Sequence, residues 1–309
     1  MPRQPGLKVT GHGPGKILLF GEHAVVYGQA ALGMPLSRGV TVTLTPGSGR
    51  LLVNLGKGVL ARASAAAASP ESLAAAVLGP DRSLLDVKVH FEIPPMAGFG
   101  TSAAYAVALL RAHDLWRRGR GATPSASLYA RALAVEAVAH GRPSGVDPAT
   151  CLANGLIRFE RPGPRPKITP VPVGAPFYWV IGSAGAHGGA KQSISRLSSW
   201  RSQEPALVEA AMAALGATSR SGEDALRRGD PQALGAVLDL AHGILSGLGL
   251  VGPKVERNIN RLRGMGALGA KMSGAGGKGG AFLALFPNLT AARRAAAQVG
   301  GFVEILTPP

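Results

Sequence analysis

Apolar positions fall into short runs broken by glycine, proline and serine over the first sixty residues, and into helical spacing more often after that. The runs Lys16–Phe20, Val40–Thr45 and Leu51–Asn54 read as strands separated by turn residues. The alanine-rich stretch Leu60–Leu78, interrupted at Pro70, predicts helix, and Val87–Ile93 alternates as a strand does. That strand feeds directly into a glycine turn, and helical patterns follow at Ala103–Trp116 and Ser125–Ala139. The Pro- and Gly-rich stretch Arg161–Pro176 predicts a linker, dividing the chain into residues 1–165 and 166–309. Beyond it, Phe177–Ile181 predicts a strand and a glycine-rich turn runs through Gly189. Helices are expected at Ser193–Trp200, Pro205–Leu215, Pro231–Leu245 and Lys254–Arg263, then an apolar strand at Ala281–Phe286 and a final helix at Thr290–Val299. Strands and helices mixed in both parts, with no fixed repeat, predict an α+β class rather than a helical bundle or a solenoid.

Composition narrows this picture modestly. The 309 residues suit about two domains, and 46% hydrophobic residues exclude a disordered chain. Every apolar stretch is broken well before the ~18 consecutive apolar residues a membrane span needs. No apolar signal region follows Met1-Pro2-Arg3, so a cytoplasmic location is the expectation. The single cysteine, Cys151, forms no internal disulfide and reads as a small buried hydrophobe. The net charge of +16 invites a nucleic-acid reading, but the basic residues are scattered. Arg117, Arg118 and Arg120 are the densest group and sit at the expected end of a helix, where the dipole favours them anyway. With 5% aromatic residues and no interleaving with basic ones, stacking platforms are not evident, and a nucleic-acid or membrane partner is not expected.

Four segments carry candidate chemistry. In Pro94-Pro95-Met96-Ala97-Gly98-Phe99-Gly100-Thr101-Ser102-Ala103, glycines lead into a helix start whose free N–H groups and dipole favour an anion. Taken alone, the segment fits equally a capped core helix after a tight turn. In Gly15-Lys16-Ile17-Leu18-Leu19-Phe20-Gly21-Glu22-His23, a cation, a carboxylate and an imidazole lie at one strand, suited to a small polar substrate or to a snorkelling lysine beside a turn. The stretch Glu136 to Asp147 puts one carboxylate on a helix and another after the Ser144-Gly145 turn. Such a pair can hold a divalent cation and take a proton, or can be an exposed helix glutamate and a capping aspartate. Gly269 to Gly280 is too glycine-rich for stable helix or strand and lets a backbone approach a ligand.

In order and content these four segments resemble the GHMP kinase superfamily, most closely its mevalonate kinase branch through Phe20 to Gly28 and His140 to Asp147. The resemblance implies two α+β domains, the first like ribosomal protein S5 domain 2 and the second a ferredoxin-like α/β sandwich. It further implies ATP and Mg²⁺ as cofactors, mevalonate as acceptor, and a homodimer. Carried over residue by residue, it makes Asp147 the catalytic base and Lys16 the group that polarises the acceptor hydroxyl. Ser102 and Glu136 become Mg²⁺ ligands. Pro95, Ala97, Gly98, Phe99, Gly100, Thr101, Ser102 and Ala103, with Gly274, Ala275, Gly276 and Gly277, hold the nucleotide. Glu22, His23, Tyr105 and Ser144, with Lys16 and Asp147, contact the acceptor. Phe99 and Thr101 depart conservatively from the family pattern, Lys278 interrupts the last glycine run, and Gly189 and Ala190 stand where many members carry a threonine. Another small-molecule kinase of this fold, or a nucleotide sensor without turnover, stays open.

Overall fold

The computed structural model describes residues 7–55, 60–61, 69–119, 125–141, 143–163, 165–186 and 190–308. The chain divides into two compact units, the first made of Met1–Lys16, Pro35–Pro95 and Gly100–Asn154, the second of Ile17–Met34, Met96–Phe99 and Gly155–Pro309.

The first unit holds β1 (Val9–Phe20, here to Lys16), β2 (Ala31–Pro46, here from Pro35), β3 (Leu51–Asn54) and β4 (Leu60–Ala61). Helix α1 (Pro70–Leu78), β5 (Leu85–Phe91), α2 (Thr101–Arg118), α3 (Ser125–His140) and α4 (Val146–Leu152) follow. Strand order is β4-β3-β5-β2, with β1 on β2. Strand β5 shows why it forms: Leu85, Val87, Val89 and Phe91 are buried while Lys88 and His90 are exposed, a period of two. Of the helix expected over Leu60–Leu78, the described part is α1 from Pro70, with Ser69 Oγ accepting from Ser72 N at 3.1 Å as its cap. Leu60–Ala61 pairs with β3 instead, and residues 62–68 lie outside the described residues, as does Arg120.

Helix α2 is the pillar of this unit, with Ala103 to Leu110 buried without interruption. Its small residues permit close approach: a Cβ added to Gly13 of β1 would stand 2.0 Å from the Ala104 carbonyl oxygen. Arg111 fixes the same contact by donating from Nη1 to His12 O at 2.7 Å. The start of α2 is thereby held rigidly to β1, the strand that ends this unit's first segment at Lys16.

In the second unit, β6 (Ile157–Glu160) pairs with Ala31–Gly33 of β2, and β7 (Lys167–Pro170) pairs antiparallel with β6. The stretch Arg161–Pro176, expected as a linker, therefore carries a strand. Its prolines and glycines shape the flanking turns, and Pro170 ends β7 at the margin of the sheet. Next come β8 (Phe177–Ser183), α5 (Ala190–Gln203), α6 (Pro205–Arg228), α7 (Pro231–Gly247) and α8 (Pro253–Gly264). Strands β9 (Gly269–Ser273) and β10 (Ala281–Phe286), helix α9 (Leu289–Val299) and β11 (Phe302–Leu306) complete the unit.

The sheet order is β11-β8-β10-β9, antiparallel throughout. Central β10 is buried at every position, which its unbroken apolar sequence anticipates. Helix α6 runs thirteen residues beyond the expected Leu215 because Thr218 and Ser219 turn their hydroxyls back onto Leu215 O, at 2.8 and 3.1 Å, instead of breaking the helix. Strand β9 falls inside the stretch expected as pure loop. Its edge is satisfied from outside the sheet, Asp239 Oδ1 accepting from Ala270 N at 2.9 Å. Among the described residues no helix is long and apolar enough to cross a membrane.

Candidate active site

In the first unit, Lys16 is 4% exposed, and its Nζ lies 3.2 Å from Asp147 Oδ1. Asp147 stands in the first turn of α4, whose N-cap Gly145 has φ 89°, so the helix dipole favours its negative charge. Ser144 Oγ accepts from Val146 N at 3.4 Å and shapes that turn. The stem of Lys16 lies across Gly100: a Cβ there would meet Lys16 Cγ at 2.6 Å and Cε at 2.7 Å. Gly100 caps α2 in the left-handed region at φ 65° and offers no side-chain bond to the helix start. Thr101 Oγ1, at the first position of the helix, donates to Pro94 O at 3.3 Å.

Glu136 is 4% exposed, on α3. Burial pushes the pKa of the Cys151 thiol up, the charges of Asp147 and Glu136 push the same way, and Lys16 and Arg111 oppose them. Tyr105 is differently employed. Its hydroxyl donates to Pro70 O at 2.9 Å, its ring lies 6.1 Å from that of Phe91, and burial raises its pKa.

In the second unit, the turn after β1 is tight, with Ala24 N donating to Glu22 O at 2.6 Å and His23 held at φ 59°. Non-glycine residues rarely adopt that backbone, and such strain gathers at functional sites. His23 Nε2 lies 3.1 Å from Ala275 O, joining the turn to the glycine-rich loop. Burial lowers the pKa of His23, against the Ala275 bond and the charge of Glu22. Glu22 itself is 1% exposed and accepts from Lys271 Nζ, a partner that the sequence patterns do not single out. Burial lowers the pKa of Lys271, and Glu22 opposes that.

The glycine-rich loop is pinned by Gly277 N donating to Leu250 O at 3.0 Å, and Lys278 is exposed on it. Ala97 and Phe99 are buried, Phe99 meeting the Phe302 ring edge-on at 5.8 Å. Ser183 Oγ donates to Ala97 O at 3.1 Å. Pro95, in the first unit, is exposed.

The expected site residues thus gather in two groups. Lys16, Asp147 and Gly100 come together in the first unit, where Glu136 is buried on α3. Glu22, His23 and Ala275 come together in the second. The phenol of Tyr105 joins neither, being spent on Pro70. Sequence reasoning missed Lys271 and Ser183. The signal for Lys271 was a lysine between Ala270 and Met272 in an otherwise apolar strand. The signal for Ser183 was a hydroxyl just before the glycine turn. Gly189, expected near the acceptor, and Arg142, in the aspartate loop, lie outside the described residues.

The family models described as GHMP kinases N terminal domain and GHMP kinases C terminal match residues 63–155 and 223–304. The mevalonate kinase of Aeropyrum pernix is 32% identical, over 88% of this chain and 87% of that protein. The mevalonate kinase of Methanothermobacter thermautotrophicus is 30% identical, over 91% of each. In fold, the chain is similar to L. major mevalonate kinase solved in complex with R-mevalonate, with a TM-score of 0.82, 24% identity, and 100% and 98% of the two chains covered. The chain belongs to the GHMP kinases, in the family of the mevalonate kinases.

Proposed function

We propose that the chain transfers the γ-phosphoryl group of ATP to the 5-hydroxyl of mevalonate, giving 5-phosphomevalonate. The observation that carries this reading is the Lys16–Asp147 pair, 3.2 Å apart, with the lysine stem laid over the uncapped start of α2. Phosphoryl transfer needs positioning and charge neutralisation far more than covalent chemistry. Asp147 takes the proton of the attacking hydroxyl as its oxygen bonds to the γ-phosphorus and the bond from that phosphorus to the β,γ-bridging oxygen breaks, releasing ADP. Lys16 steadies the negative charge that develops on that oxygen and on the transferred group. The N–H groups of residues 101 to 103 hold phosphate oxygens at the positive end of α2. Gly274 to Gly277 are assigned to the nucleotide, and Glu22 and His23 to the acceptor.

Mg²⁺ fits the donors available. Glu136 and Ser102 offer a carboxylate and a hydroxyl, hard oxygen ligands. Among the described residues no group of three or more His, Cys, Asp or Glu is gathered as a metal site. An Mg²⁺ ion held by Glu136 and Ser102 would neutralise triphosphate charge.

The test is ADP release by purified protein with mevalonate, phosphomevalonate, galactose and homoserine in parallel. Turnover that prefers mevalonate is expected, and a preference for any other acceptor reassigns the substrate. Gly100→Ala is expected to cut kcat by about 100-fold, because the added methyl displaces Lys16 by a sizeable fraction of an ångström or more. Full turnover in a folded Gly100→Ala protein would show that the Lys16 position is not needed.

A further inference from the structure

Lys271 is a wholly buried cation for which the proposed chemistry has no use, so its place needs an explanation. Side chains alternate along a strand, so Lys271 and Ser273 of β9 project to one face. Ser273 Oγ accepts from Leu18 N at 3.0 Å and donates to Leu18 O at 2.9 Å. Two residues back, Lys271 Nζ stands 5.9 Å from the centre of the Phe20 ring and donates to Glu22 Oε1 and, at 2.7 Å, to Met272 O. Positions 273 and 271 thus meet positions 18, 20 and 22, a period of two on both segments.

The exposures are 0% for Lys271 and 1% for Glu22. Two charges so buried are costly to desolvate, and an apolar pair of similar volume commonly packs as well or better. The pair is also incomplete: Glu22 Oε2 is buried and has no hydrogen-bond partner. A carboxylate with one oxygen locked and the other vacant is oriented to accept one more donor.

We propose that Lys271 is a positioning residue for acceptor binding: it locks one oxygen of Glu22 and leaves Oε2 as the acceptor for a hydroxyl of the phosphoryl-accepting molecule. This rests on the assignment of Glu22 to the acceptor under the proposed function. Lys271 acts through Glu22 alone, so removing it after Glu22 has been neutralised should change nothing further.

The experiment compares Glu22→Gln, Lys271→Met and the double variant in the full chain, reading KM for mevalonate, KM for ATP and the thermal midpoint. Each single variant is expected to raise the mevalonate KM at least tenfold and the ATP KM less than twofold. The double variant is expected to match Glu22→Gln in mevalonate KM while melting above Lys271→Met. Should Lys271→Met fail to fold, equality of Glu22→Gln and the double variant still tests the idea. A further rise in the double variant, or equal rises in both KM values, overturns the role of Lys271. A wild-type chain that releases no ADP with mevalonate overturns the functional reading and this one together. An active wild type with an unmoved mevalonate KM in the variants overturns this one alone.

Discussion

Asp147→Asn is expected to lower kcat by about 10²–10⁴-fold, the range general-base catalysis supplies, with nucleotide affinity nearly unchanged. The amide keeps the shape of the carboxylate at the first turn of α4, so Gly145 and Ser144 still form their turn. It cannot take the proton of the attacking hydroxyl, however, and it deprives the buried Lys16 of the charge 3.2 Å away. Lys16→Met should fall by a comparable factor through loss of charge stabilisation, while the double variant falls little further than either single one. Strong non-additivity is the mark of groups that act as a unit. ADP release with saturating mevalonate measures the rate, and nucleotide titration measures binding. An Asp147→Asn protein with near wild-type kcat would remove this residue from the chemistry.

The largest stability effect belongs to Glu22→Ala. It strips Lys271 of its counter-charge and leaves the ammonium fully buried between the Met272 carbonyl and the face of Phe20. Breaking a buried ion pair by removing one partner costs about 3–5 kcal/mol. In a domain of this size that is roughly 10 °C in Tm. Removing both charges together, as in Glu22→Met with Lys271→Met, should return most of the loss, because no charge then remains in the core. Scanning calorimetry of the three proteins measures it. A Glu22→Ala midpoint within about 2 °C of wild type would mean that water reaches Lys271.

Much of this molecule was legible before its coordinates. The strands Leu51–Asn54 and Ala281–Phe286 appear at their expected ends, because turn residues bound them on both sides. The long helices appear as well, extended where serine and threonine bond back to their own helix, as at Thr218 and Ser219. Strands β6, β7, β9 and β11 were not legible. They are five residues long or less, and two of them, β6 and β11, pair with strands distant in sequence, β2 and β8, which no local pattern records. The site followed the same division. Lys16 stands out as a cation leading an apolar run, Glu22 and His23 as polar groups in the turn after it, and Glu136 and Asp147 as carboxylates on either side of a glycine turn. Lys271 sits between apolar neighbours, and its meaning comes from Glu22, 249 residues earlier in the chain.

The matched period of two between β9 and the segment Leu18 to Glu22 works like a vernier between distant parts of the chain. One residue inserted or deleted between Lys271 and Ser273 would turn one of them to the opposite face, undoing either the Leu18 bonds or the Glu22 pair. Length variation among relatives should therefore be absent from that short span. It should collect after Ser273, where the chain has left the strand and a change in loop length reverses no side chain.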